Sequence, residues 1–182
     1  MSVRLVRNLE RGGASSYTGN VPFATPSFET KIYAPEELTQ RTAALSRPLV
    51  FTNGVFDILH RGHVTYLAQA RILGAGLLVA VNSDASVRKL SKGPDRPINT
   101  LADRMAVLAA LEAVTLVTWF EEDTPLALIN RIKPDVLVKG GDWSINQIVG
   151  GTEVKSWGGV VQSIPFAHQH STTATLAKAR RS

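Results

Sequence analysis

Short, continuous apolar runs alternate with stretches of helical period from about residue 48 onward. Pro48-Leu49-Val50-Phe51-Thr52 is one such run, and Asn53-Gly54 supplies its turn. Leu77–Val81 is the next, stopping at Asn82-Ser83-Asp84. Val114–Trp119, Val136–Lys139 and Val160–Ile164 predict further strands. Between them, Gly62–Leu73 carries Val64, Leu67, Ala68 and Ile72 at helical spacing. Ala85–Leu90, Leu101–Ala113, Pro125–Ile132 and Thr152–Trp157 predict more helices, and a last one is expected over Ser171–Arg180. Thr100 is placed to cap the helix from Leu101, with Asp103 at the capping-box position. Runs without apolar–polar alternation suit strands buried on both faces, and alternation with helices makes such strands parallel. The expected fold is α/β: a Rossmann-like, mostly parallel sheet with helices on both faces.

Residues 1–30 are rich in Gly, Ser, Thr, Pro and Asn and show no apolar period, which predicts a flexible N-terminal arm. Ala34-Pro35-Glu36-Glu37-Leu38 reads as a helix start running to about Leu45, so the domain is expected to span 31–182. A chain of 182 residues is ample for one core. The formal charge of +5 sits in the ends: residues 1–47 net +2, residues 178–182 net +3, and the stretch between is neutral. A basic groove for nucleic acid is not indicated. The absence of cysteine excludes disulfides, thiolate zinc, iron–sulfur clusters and a thiol nucleophile. The opening residues lack a signal-peptide core, and no run approaches a membrane span, so a cytoplasmic protein without a membrane partner is expected.

In doubly wound folds ligands bind beyond the carboxyl ends of the strands. The polar clusters fall at those ends: Asn53–Asp57 with His60–His63, then Asn82-Ser83-Asp84, Lys139–Trp143 and His168–Thr173. All four histidines lie in two of these clusters. His60 and His63 flank Gly62 where a strand–loop passes into a helix. There a phosphate meets free amides and the positive end of the helix dipole. Two imidazoles can donate to phosphoryl oxygens as charge develops, the main need of phosphoryl transfer. The plainer alternatives are two surface histidines at a helix start, or half a zinc site that would need Asp57 or another histidine.

The HxGH pattern after a strand, preceded by Thr52-Asn53-Gly54-Val55-Phe56-Asp57, resembles the cytidylyltransferase-like nucleotidyltransferase superfamily. Further motifs agree in order: Asn82-Ser83-Asp84, Lys92-Gly93-Pro94, Arg96-Pro97-Ile98-Asn99, Asp103-Arg104-Met105 and Ser171-Thr172-Thr173. Within it, the run from NSDASV through RPIN, EEDTP and PDVLVKGGDW is similar to the D-glycero-D-manno-heptose 1-phosphate adenylyltransferases of lipopolysaccharide synthesis. The resemblance covers about residues 31–177. It implies that His60 and His63 bind the ATP phosphates and stabilise the transition state, with Lys92 neutralising charge. Because Ser91 is inserted before that lysine relative to the family, Lys89 competes for the role. Val55, Phe56, Gly62, Arg104, Gly141, Asp142, Ser171, Thr172 and Thr173 are implied on the nucleotide, Arg104 either anchoring phosphates or organising the site. Asn53, Asp57, Asp84 and Trp143 are implied on the sugar phosphate. Ser171–Thr173 also suit an ordinary N-cap, and Lys139–Asp142 an ordinary strand end and turn.

The implied reaction is attack by the sugar 1-phosphate on the α-phosphorus of ATP, giving ADP-heptose and pyrophosphate. A phosphate monoester has a second pKa of about 6, so no general base is needed. Mg²⁺ is expected with ATP, and no dedicated metal site is visible. A homodimer, and a separate heptose kinase and phosphatase, are implied by the family. His168-Gln169-His170 and Asp95 depart from its usual pattern. The alternative is a CTP-dependent enzyme acting on a small alcohol phosphate such as glycerol 3-phosphate; Phe166, where those enzymes carry Arg, favours the heptose branch.

Overall fold

A computed structural model describes residues 24–90 and 96–167. Lys92, His168, His170, Ser171, Thr172, Thr173 and the expected last helix lie outside the described residues. So do residues 1–23 of the expected arm.

Among the described residues, five strands form one sheet: β1 (Leu49–Gly54), β2 (Gly76–Asn82), β3 (Leu116–Phe120), β4 (Val136–Gly140) and β5 (Val160–Ile164). Their order is β3-β2-β1-β4-β5 and every pairing is parallel. Six α-helices accompany them: α1 (Leu38–Ala43), α2 (Arg61–Ile72), α3 (Asp84–Lys89), α4 (Leu101–Ala109), α5 (Leu126–Ile132) and α6 (Gly151–Ser156). None is long and apolar enough to cross a membrane.

Successive strand residues point to opposite faces, and both faces are covered. Val50, Val79, Val81 and Val138 pack with Tyr66, Leu67 and Ala70 of α2 and Met105 and Leu108 of α4. Leu49, Phe51, Leu78 and Leu137 pack on the other side with Leu38 of α1, Ile129 of α5 and Val154 of α6. This is why the strands read as unbroken apolar runs.

Several boundaries shift by one to three residues, as β3 does in starting at Leu116 rather than Val114, and two differences are larger. Helix α4 stops at Ala109 rather than Ala113, because the chain turns toward β3: the Leu111 carbonyl accepts from the Val114 amide (3.2 Å) and from Lys31 Nζ (3.2 Å). The arm does not extend to residue 30: Ser27–Lys31 form a 3-10 turn, Phe28 packs on the α4 side of the core, and Ile32 bridges Val117 of β3. Phe28, Lys31 and Ile32 together hold this stretch on the domain despite its polar composition.

Candidate active site

The chain order reverses between β1 and β4, the switch point at which doubly wound sheets open a crevice. Pairing of β1 with β2 runs on to Gly54↔Val81, whereas pairing with β4 ends at Thr52↔Val138. Beyond that register the strands part. Lys139 Nζ spans the gap, donating to the carbonyl and to Oδ1 of Asn53, each at 3.2 Å.

After β1 the chain turns sharply. Glycine at 54 leaves room for the Phe56 ring, which a Cβ there would crowd at 3.0 Å. Phe56 itself has φ 49, a left-handed conformation costing a non-glycine residue about 1–2 kcal/mol. Its buried ring is held edge-on against His63, with centroids 5.4 Å apart. The turn delivers His60 to the N-cap position of α2, with extended backbone and its carbonyl accepting from Val64 N (3.2 Å). His60 and His63 stack with centroids 3.9 Å apart, and Phe166 closes on His63 from the far side at 6.0 Å.

Burial, and secondarily the adjacent His60, push the His63 imidazole down to about 4. It is therefore neutral at pH 7. Its buried Nδ1 has no hydrogen-bond partner among the described residues. Leaving such an atom unmet costs about 1–3 kcal/mol, which a ligand oxygen or a water would recover. With the amides that the first turn of α2 leaves unpaired, the pair forms an anion site in which His63 is uncharged.

Arg104 and Asp57 are tied into the protein framework. Arg104 is fully buried, with its guanidinium shared among three elements: Nε to the Asn99 carbonyl (3.1 Å), Nη1 to the Val55 carbonyl (2.7 Å) and Nη2 to Asp84 Oδ1 (2.6 Å). Of its two expected roles, the geometry fits the organising one. Asp57 is equally consumed: Arg96 Nη1 donates to Oδ2 (2.5 Å), and the amides of Ile98 and Asn99 donate to Oδ1 (2.8 and 3.0 Å). It pins the 96–99 loop and lines a small cavity with Phe56, Asn99 and Arg104. Asp84, occupied by Arg104, belongs to the same framework.

Asn53, Val55 and Trp143 line a cleft of about 390 Å³ at the strand ends. Gly141 has φ 109, a conformation that favours glycine, and its amide donates to the Ile164 carbonyl (2.8 Å). Trp143 is fixed by Nε1 donating to the Gly140 carbonyl (3.1 Å) and its amide donating to Ser163 Oγ (3.1 Å). Asp142 stands exposed on the turn between them, and Gly62 is buried in the first turn of α2. The cleft also contains Asn82 and Lys139, from two of the polar clusters expected at the strand ends, together with Asp123 and Gln147, which sequence reasoning did not single out as site residues. Lys139 is legible as the last polar residue of a strand before a glycine pair; Gln147 carries no such signal.

The model of the cytidylyltransferase-like family matches residues 51–180. A D-beta-D-heptose 1-phosphate adenylyltransferase of Bordetella bronchiseptica is 58% identical over 156 residues, covering 85% of this chain and 96% of the relative. The bifunctional protein HldE of Hahella chejuensis is 59% identical over 133 residues, 73% of this chain but 28% of that longer protein. Among solved structures, the lipopolysaccharide core biosynthesis protein of Thermoplasma volcanium is similar with a TM-score of 0.54 at 27% identity, covering 67% of this chain and 98% of that one. With a parallel sheet opened at its switch point and HxGH leading into α2, the chain belongs to the cytidylyltransferase-like family, on the branch of the heptose 1-phosphate adenylyltransferases.

Proposed function

We propose that this protein transfers the adenylyl group of ATP to D-glycero-D-manno-heptose 1-phosphate, releasing pyrophosphate. The observation that carries the reading is the stacked His60–His63 pair at the start of α2, in a chain 58% identical to an adenylyltransferase of that name. An oxygen of the sugar 1-phosphate attacks the α-phosphorus. The bond from that phosphorus to the bridging oxygen breaks, and pyrophosphate leaves with the electron pair. His60 and His63 donate to the phosphoryl oxygens as their charge grows, together with the first amides of α2. Incoming phosphate charge raises the pKa of His63, so the positive charge emerges where it is needed.

Lys139 adds a fixed cation at the switch point, while Val55, Phe56 and Gly141 shape the backbone against which the nucleotide lies. Lys92 and Ser171–Thr173 complete the phosphate contacts in this proposal. Mg²⁺ enters with the substrate as MgATP; among the described residues no cluster of three His, Asp or Glu is placed to hold a metal. The protein works in the cytoplasm as a homodimer, supplied by a separate kinase and phosphatase. A pyrophosphate-release screen of ATP, CTP, GTP and UTP against sugar and alcohol phosphates tests the reading. ATP with heptose 1-phosphate is expected to be the best pair; equal turnover with CTP and glycerol 3-phosphate overturns it.

A further inference from the structure

The cleft offers more than phosphate chemistry requires. One wall lies at the end of β3, where Phe120, Asp123 and Thr124 face it beside Leu90. Neighbouring strands are about 4.8 Å apart, so this wall stands roughly 10 Å across the sheet from β1. The opposite wall is the segment after β4, with Trp143 and Gln147.

The Asp123 carboxylate lines the cleft without being consumed. Its ion pair with Lys89 measures 3.4 Å and both side chains are largely exposed, so the pair contributes little to stability. The backbone beneath it is stitched to the start of α3 by buried groups. Asn82 Nδ2 donates to Ser86 Oγ (3.0 Å), Ser86 Oγ donates to the Glu122 carbonyl (3.1 Å), and Ser83 N donates to the Phe120 carbonyl (2.9 Å). Asn82, Ser83 and Ser86 are all buried. A loop fixed this way presents its next side chain at a defined point. Across the cleft, Gln147 closes a 3-10 turn through its amide to the Ser144 carbonyl (2.9 Å).

A carboxylate accepts from two adjacent hydroxyls, a carboxamide both donates and accepts, and apolar side chains suit the C–H face of a sugar ring. A triphosphate would be repelled by Asp123. We propose that Asp123 and Gln147 read the sugar hydroxyls remote from the phosphate and so set which sugar 1-phosphate is accepted. The assignment rests on the adenylyltransferase reading: the acceptor phosphate must reach the α-phosphorus at His60 and His63, which leaves the polyhydroxylated remainder for the cleft.

The test is steady-state kinetics at saturating MgATP on wild type, Asp123→Asn, Gln147→Ala and Glu121→Gln, with heptose 1-phosphate and with a hexose 1-phosphate one carbon shorter. Either cleft variant is expected to raise KM for heptose 1-phosphate about tenfold or more, the size of one lost hydrogen bond to a charged or well-placed group. KM for ATP and kcat stay within about twofold by the same arithmetic. Asp123→Asn also narrows the preference for heptose over hexose, and Glu121→Gln, a neighbouring loss of charge outside the cleft, behaves as wild type. Unchanged KM in both cleft variants, or an equal rise in Glu121→Gln, overturns the assignment alone. Absence of wild-type turnover with ATP and heptose 1-phosphate overturns the adenylyltransferase reading and this assignment with it.

Discussion

At the scale of single residues, the decisive choice is a neutral, half-buried histidine where a phosphate is to bind. Were His63 only shaping a helix start, asparagine would serve as well, being close in size. As a donor to charge that grows in the transition state, it cannot be replaced without a loss in rate. His63→Asn is therefore expected to fold, to bind ATP within about tenfold of wild type, and to lose at least ~10² in kcat. Wild-type kcat in a folded variant removes this histidine from the mechanism. The same residue gives a pH dependence. Its folded pKa of about 4 lies below the ordinary imidazole value of 6.5, so the unfolded chain binds the extra proton first. Stability from this group is complete above pH 6.5 and is lost as pH falls toward 4. Melting temperatures measured between pH 7 and pH 4.5 are expected to fall further in wild type than in His63→Asn, by a few degrees. Parallel curves would contradict the burial of a neutral imidazole.

At the scale of elements, Arg104 ties the β1–α2 turn, the entry to α4 and the start of α3 into one frame. Lysine offers a point charge and cannot meet three acceptors spread over three elements. Arg104→Lys is expected to cost ~2 kcal/mol, or about 4–8 °C in Tm, and to lower kcat because the Val55 carbonyl is released. An unchanged Tm would falsify the framework role. The contrast with the histidines shows what the sequence could reveal. HxGH is legible because four consecutive positions and a strand–helix boundary already define its geometry, and the strands were legible because burial on both faces leaves unbroken apolar runs. Arg104 reaches Asp84 and Val55 across 20 and 49 positions, and Lys139 reaches Asn53 across 86. No local spacing encodes such contacts. Asp57 sits inside the motif and so suggests a ligand contact, yet its carboxylate is claimed by amides 41 and 42 residues downstream. Strand order, which creates the switch point, is likewise a property of long-range pairing.

At the scale of the whole molecule, β3 and β5 are the outer strands among the described residues, and a preceding segment covers part of the β3 edge. On the β5 side Val160 is exposed. On the β3 side, Ile32 bridges Val117 and the Tyr33 amide donates to the Val117 carbonyl (3.0 Å), so a short extended stretch covers part of the edge. That stretch is held by the 3-10 turn before it, through Phe28 on the core and Lys31 on the Leu111 carbonyl. An uncovered parallel edge is a template for pairing with another chain. Phe28 is partly buried, so Phe28→Ala is expected to cost about 2 kcal/mol, less than the ~3–5 of a fully buried phenylalanine. For a domain of this size that is a fall of about 4–8 °C in Tm. Because the β3 edge lies on the far side of β2 from the histidines, KM for ATP at a temperature well below the transition is expected to stay at the wild-type value. Loss of the cover should also show as concentration-dependent light scattering on heating, earlier than in wild type. A Phe28→Ala protein that melts and scatters as wild type would mean that the edge is held without its anchor, and that the domain begins, in energetic fact, after residue 31.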